Sequence, residues 1–414
     1  MKQNYKNRLE EFVHFQSVST DAQFIPEMER TANWLDQLLS TGGFSVERWQ
    51  SAHTHPVLFA QHNVSHLAPT LLIYGHYDVQ PADPAQWQSE PFQLTERKKR
   101  LFARGAADNK GQLLIHLLTA LQLIREGKLA YNLRFLIEGD EERGSPGLSE
   151  LLEANRGNLA CDQIVISDGS ILENRPLLSL SLRGVANLTL SLQTHDQDLH
   201  AGLYGAAVTP NAAQLLARML NQLFDANGLV TVPGFYEGTS PTAGQENPFG
   251  LLPSLEISTL NSGYLGEGYA NIIPGSAEAK LNLRIAPGQD AVKAAHRLID
   301  FLKEKSPAEA ALTITITDIE PPVSMPENHP TLLRVKRYLH ATWQVEPALE
   351  HCGGSIPIVA HLAELTGKPP VLANLANPDC QMHGADENIT WDCVEKGLAF
   401  SRAYLSRQLP LHFR

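Results

Sequence analysis

Between Pro69 and Asp168 the chain repeats one pattern, a short continuous apolar run followed by a longer stretch of helical character, and this restricts the fold more than any other feature. "TLLIYGH" (Thr70–His76) reads as a strand. "NKGQLLIHLLTALQLIREGK" is apolar almost all round and reads as a buried helix stopped at Gly127 and Lys128. "NLRFLIEGDEE" is a second strand, "GLSELLEANRG" a helix closed by Gly157, and "DQIVISDG" a third strand. Strand–helix–strand repetition of this kind predicts an α/β fold, a mostly parallel sheet with helices on both faces.

After Arg183 the texture changes. "GVANLTLSLQT" alternates like a half-exposed strand, followed by a helix ("TPNAAQLLARMLNQLF"), a long Gly/Pro-rich loop between Val230 and Pro253, and the strands "SLEISTL" and "SAEAKLNLRI". A helix ("DAVKAAHRLIDFLKEK") and the strand "LTITITDI" complete a two-helix, four-strand unit of split β-α-β type. Near "EPPVS" α/β sequence resumes. The 414 residues exceed one ordinary core. The expected organisation is therefore a larger domain in two parts, 1–182 and 321–414, interrupted by an inserted α+β domain at 183–320.

A formal net charge of −12 argues against sequence-independent nucleic-acid binding, which needs a basic stripe. The N-terminal "MKQNYKNRLEEFVHF" lacks an apolar h-region and no run approaches membrane-spanning length, so neither a signal peptide nor a membrane association is expected. Cys161, Cys352, Cys380 and Cys393 are scattered without a Cys-x-x-Cys, which fits free thiols in a reducing cytoplasm. Cys352 and Cys380 read as buried.

In an open parallel sheet, ligands bind beyond the carboxyl ends of the strands. The residues expected there are His76 and Asp78, Glu141 and Glu142, and Asp168, with Asp108 at the start of the buried helix and His383 in a later loop. His76 and Asp78 fall on the same side of an extended chain, and a carboxylate on the far ring nitrogen is what a metal-binding histidine needs. Adjacent acids ending a buried strand repel unless a cation neutralises one. Nitrogen and carboxylate donors without thiolates suit zinc, manganese or cobalt. Two histidines with three acids match a two-metal site with a shared carboxylate, the ions about 3.5–4 Å apart. One glutamate is left over to take a proton from water, and the count does not say which. Of the other histidines, His53, His55, His62, His66, His116 and His412 read as surface or satisfied residues; the His53–His66 group has no partner carboxylate in view.

"GHYDVQP", "RGAADNKG", "EGDEERGS", "VISDG", "DLHAGLYG", "NIIPGSAEAKLNLR", "GGSIPI" and "MHGADE" occur in the order and spacing of the M20 metallopeptidases, and the chain most resembles their carnosinase-like dipeptidase branch. The resemblance implies a zinc-exopeptidase-like catalytic domain carrying an inserted lid that also forms a homodimer. It implies two divalent ions per subunit, zinc first, with manganese or cobalt as alternatives. His76 and Asp168 would complete one ion's shell, Glu142 and His383 the other's, and Asp108 would bridge. Asp78 would orient His76, and Glu141 would be the general base. His200 would reach the partner subunit's site and stabilise the oxyanion. Arg284 and Ser355 would hold the substrate's C-terminal carboxylate, with Asn271 and Gly354 as supporting contacts. Where the branch often has Asp-Asp, this chain has Asp108-Asn109, and "HAGLYGAA" departs from the usual pattern after His200.

The expected activity is cleavage of the amide bond of dipeptides or similar small peptides with a free C-terminal carboxylate. An N-acyl-amino-acid deacylase keeps the same chemistry with another acyl-side pocket. A non-catalytic binding protein on the same fold would show a missing base or ligand, and every expected position is occupied.

Overall fold

The computed structural model describes residues 1–204, 209–239 and 249–409. They form two compact units: Met1–Leu180 with Met325–Glu350 and His361–Arg414, and Ser181–Ser324 with His351–Ala360.

The larger unit is built on a sheet whose strand order is Ser45–Trp49, Val57–His62, Asn132–Glu138, Thr70–His76, Gln163–Ile166, Val371–Asn374 and Leu177–Leu182. The four central strands run parallel, and the flanking pairs on either side are antiparallel. In the Thr70–His76 strand every residue from Leu71 to His76 is buried, which is why it reads as an unbroken apolar run: a central parallel strand is covered on both faces. The helix Lys110–Glu126 is buried from Lys110 to Leu121 and ends on Gly127 in the left-handed conformation (φ 63°), where a side chain would be strained. Its partner Trp391–Ser406 is capped by the Thr390 hydroxyl, which accepts from the Cys393 N–H. Gly75 is where strand and helix come closest. A Cβ there would lie 2.8 Å from Asn109 Oδ1 and 3.0 Å from Leu113 Cδ1, so only glycine lets His76 follow directly.

The smaller unit has a four-stranded antiparallel sheet in the order Ser254–Ser262, Ser276–Ile285, Gly184–Gln193 and Ala311–Glu320. Strand Gly184–Gln193 alternates in burial, placing Ala186, Leu188, Leu190 and Leu192 in a separate core with Leu216 and Met219 of helix Ala212–Asn221 and Leu298 and Phe301 of helix Ala291–Glu304. Asn211 and Asp290 cap the two helices. Part of the Val230–Pro253 loop, residues 240–248, lies outside the described residues. Among the described residues no helix is long and apolar enough to cross a membrane.

Candidate metal centre

In the larger unit the parallel strands end together and their loops converge. His76 closes its strand with its ring fully buried. Its Nδ1 lies 3.2 Å from Asp78 Oδ1, and its Nε2 lies 3.1 Å from Asp108 Oδ1 and 3.6 Å from Asp168 Oδ2. His383, with positive φ in its loop, places Nε2 3.0 Å from Asp108 Oδ2 and 3.2 Å from Glu142 Oε2. Two groups of donors result, His76/Asp108/Asp168 and Asp108/Glu142/His383, each with its atoms within 4.8 Å of one another. Asp108 is common to both.

Glu141 belongs to neither group. It sits with Glu142 in a short 3-10 turn, Glu141–Arg143, after strand Asn132–Glu138. At Gly139, just past the strand, a Cβ would meet the Tyr77 ring at 2.4 Å, so the close packing there requires glycine. Asp78 holds this turn as well as the histidine: its Oδ2 accepts from the Glu142 N–H at 3.0 Å and from the Ser19 hydroxyl at 2.6 Å. Gln80 Nε2 donates to Glu142 Oε2 at 2.7 Å.

The cluster is overloaded with acid. Burial, despite the nearby His76, pushes the Glu141 carboxyl well above its ordinary range, and the charges of Asp168, Asp108 and Asp78 add to the rise. Burial and Asp108 also raise Asp168. Asp108 is pulled below its ordinary value in spite of burial, by hydrogen bonds from His383 and His76. Those bonds to Asp108 and Glu142 raise His383 to about 10. For His76, burial opposes the charge but the bonds to Asp108, Asp168 and Asp78 win. Five carboxylates (Asp78, Asp108, Glu141, Glu142 and Asp168) around two imidazoles draw positive charge into a buried place, and oxygen and nitrogen donors at this spacing fit a divalent cation.

Several supporting groups lie within the quoted motifs, yet the sequence alone assigns them no role. Glu387 is completely buried and accepts from Arg104 Nη1 (2.8 Å) and from the N–H groups of Gly105 (3.0 Å), Ala107 (2.8 Å) and Asp108 (2.9 Å). It therefore shapes the loop that presents Asp108. Replacing it, Glu387→Gln, strands the buried Arg104 guanidinium; the expected loss is about 3–5 kcal/mol, read from urea unfolding of the metal-free protein. Asn109 Nδ2 donates to Asp168 Oδ1 at 3.1 Å and to the Ser167 carbonyl at 2.7 Å. An ionised aspartate there could not donate, so the departure from Asp-Asp supplies a donor where acids are already crowded.

One expectation is corrected. His55 does have a carboxylate partner, Asp140, at 2.5 Å from its Nδ1. Antiparallel pairing of Val57–His62 with Asn132–Glu138 carries the preceding loop to the end of the neighbouring strand, a proximity that 85 residues of separation conceal. His116 is buried and satisfied by Ser401 and Ser167.

In the smaller unit, Arg284 Nη1 donates to the Ser355 hydroxyl at 2.8 Å and its Nε to Asn282 Oδ1 at 3.0 Å. Ser355 in turn donates to the Arg183 carbonyl at 2.6 Å. Gly354 is exposed in the adjoining turn, and Cys352, expected to be buried, is only half-buried there; Cys380, in the larger unit, is buried. His200 is exposed on a two-stranded ladder opposite Ile272, with the Ala201 N–H donating to the Asn271 carbonyl at 2.9 Å.

Residues 72–407 match the family described as peptidase family M20/M25/M40. The cysteinylglycine-S-conjugate dipeptidase of Corynebacterium striatum is 30% identical over 397 residues, which cover 87% of this chain and 86% of that protein. The Beta-Ala-His dipeptidase of Homo sapiens is 29% identical over 408 residues, 88% of this chain and 79% of that protein. The solved structure of an M20 family metallo-carboxypeptidase from Sulfolobus solfataricus superposes with a TM-score of 0.86 at 27% identity, covering 97% of this chain and 98% of that one.

Proposed function

Because the chain belongs to peptidase family M20/M25/M40 and is a metal-dependent peptidase, we propose that it hydrolyses the amide bond of dipeptides or similar small peptides with a free C-terminal carboxylate. The observation that carries this reading is the sharing of Asp108 between two donor groups with Glu141 left outside both. In this reading His76 and Asp168 would hold one divalent ion, Glu142 and His383 would hold a second, and Asp108 would be shared between them. Zinc is the expected ion, since the donors are nitrogen and oxygen, with manganese and cobalt the alternatives. Bound divalent ions lower the pKa of water towards about 7 and polarise the scissile carbonyl.

The chain's own groups do the rest. Glu141 takes a proton from the attacking water and returns it to the nitrogen of the leaving amine, so that water and amide become acid and amine. Asp78 keeps the His76 ring in one orientation. Arg284, already steadied by Ser355 and Asn282, takes the substrate's terminal carboxylate through parallel N–H donors, with Ser355, Asn271 and Gly354 completing the contacts. His200, supplied by the partner subunit of a homodimer formed through the inserted unit, donates to the developing oxyanion. Four free cysteines agree with a cytoplasmic setting.

The test is release of free amino acids by purified, metal-reconstituted protein from dipeptides, tripeptides and N-acyl amino acids, with and without chelator. The expected result is chelator-sensitive cleavage of dipeptides, with at least about 10²-fold lower kcat/KM for N-acetyl amino acids, whose acyl group leaves unmade contacts. Turnover of acyl amino acids alone would overturn the dipeptidase reading.

A further inference from the structure

The turn that carries Glu141 and Glu142 is preceded by Asp140, whose carboxylate is held by residues outside both donor groups. Its side chain is almost fully buried. Oδ2 accepts from the His55 backbone N–H at 2.6 Å, Oδ1 lies 2.5 Å from His55 Nδ1, and Oδ1 also accepts from Arg143 Nε at 2.7 Å. Arg143 Nη2 reaches on to the His53 carbonyl at 2.8 Å, tying the turn back to the same loop. The Asp140 carbonyl accepts the N–H groups of Arg143 (3.2 Å) and Ser145 (2.8 Å), so the carboxylate and the backbone of one residue fix both ends of the turn. None of His55, Asp140 or Arg143 belongs to either donor group.

We propose that His55 and Arg143 are positioning residues for Glu141 and Glu142, acting through Asp140. A carboxylate shared by an imidazole, a guanidinium and a backbone amide has little freedom, because each bond is charge-assisted and directional. Asp140 precedes Glu141 directly, so loosening its carboxylate rotates the backbone that aims the base. A displacement of about 1 Å at a reacting group costs on the order of 10²-fold in rate. The proposal rests on the reading of Glu141 as the base, and the experiment separates the two.

Three variants are compared with wild type: His55→Phe, which keeps the ring's bulk and removes its N–H; His55→Asn, which returns a side-chain N–H near the Nδ1 position; and Arg143→Met, at a partly exposed side chain. Hydrogen exchange of the Arg143 and Ser145 amides is followed in the metal-free protein, and kcat and KM are measured on a dipeptide after metal reconstitution. In His55→Phe these two amides exchange about 10- to 100-fold faster, the factor carried by one hydrogen bond to a charged group. Its kcat falls about as far while KM stays within about twofold, the signature of a disturbed chemical step. His55→Asn recovers both readouts, and Arg143→Met moves both in the direction of His55→Phe. Wild-type exchange and wild-type kcat in His55→Phe would overturn the proposal. So would a His55→Asn variant as impaired as His55→Phe, because the loss would then be one of packing. Should His55→Phe fail to fold, Arg143→Met decides: unchanged exchange and kcat there refute the clamp. A wild-type protein that cleaves no dipeptide would sink the reading of Glu141, while the exchange rates would still judge the clamp by themselves.

Discussion

Glu141→Gln is expected to bind metal as wild type does and to lose about 10²–10⁴ in kcat, the usual contribution of a positioned general base. The substitution keeps the shape of the side chain and removes its ability to accept a proton. Glu141 lies in neither donor group, so metal content measured by elemental analysis should not change. KM should move little, since the lost interaction is made in the transition state. In the metal-free protein, burial and the charges of Asp168, Asp108 and Asp78 hold the Glu141 carboxyl above its ordinary range. A Glu141→Gln protein with wild-type turnover would remove Glu141 from the mechanism.

Asp108→Ala should have the opposite pattern, losing metal and activity together. Asp108 offers Oδ1 towards His76 and Oδ2 towards His383, and each donor group is reduced to two members without it. Metal content is expected to fall below one ion per chain after gel filtration, with turnover below detection. Asp108 accepts hydrogen bonds from both histidines and is held below its ordinary value in the metal-free protein, so its loss should lower the Tm of the metal-free form. A single cooperative unfolding transition retained by the metal-free variant separates a damaged site from a damaged fold. Retention of two ions by Asp108→Ala would refute the bridge.

The central strands and helices were legible because each is encoded within itself. Leu71 to Tyr74 are apolar in succession because a parallel strand is covered on both faces, and helix Lys110–Glu126 reads as buried all round because it is. His76 and Asp78 were legible as a pair for a similar reason, since alternate residues of an extended chain face the same way. Asn109 shows the limit. As a departure from a motif it reads as neutral variation, yet its amide N–H reaches Asp168 across the site. Glu387 is harder still. Nothing around "GADE" tells a surface acid from one that accepts three backbone N–H groups and a guanidinium some 280 residues away.

By itself the sequence determined the α/β class, the change of texture after Arg183 and the candidates at the strand ends, all properties of local periodicity and composition. Only the tertiary structure decided that Asp108 lies between His76 and His383, that Asp140 is clasped by His55, and that His351–Ala360 groups with Ser181–Ser324. The reason is physical. A periodic pattern states which face of an element is buried, whereas sheet order and register state which distant side chains meet, and those are settled by packing the whole chain at once.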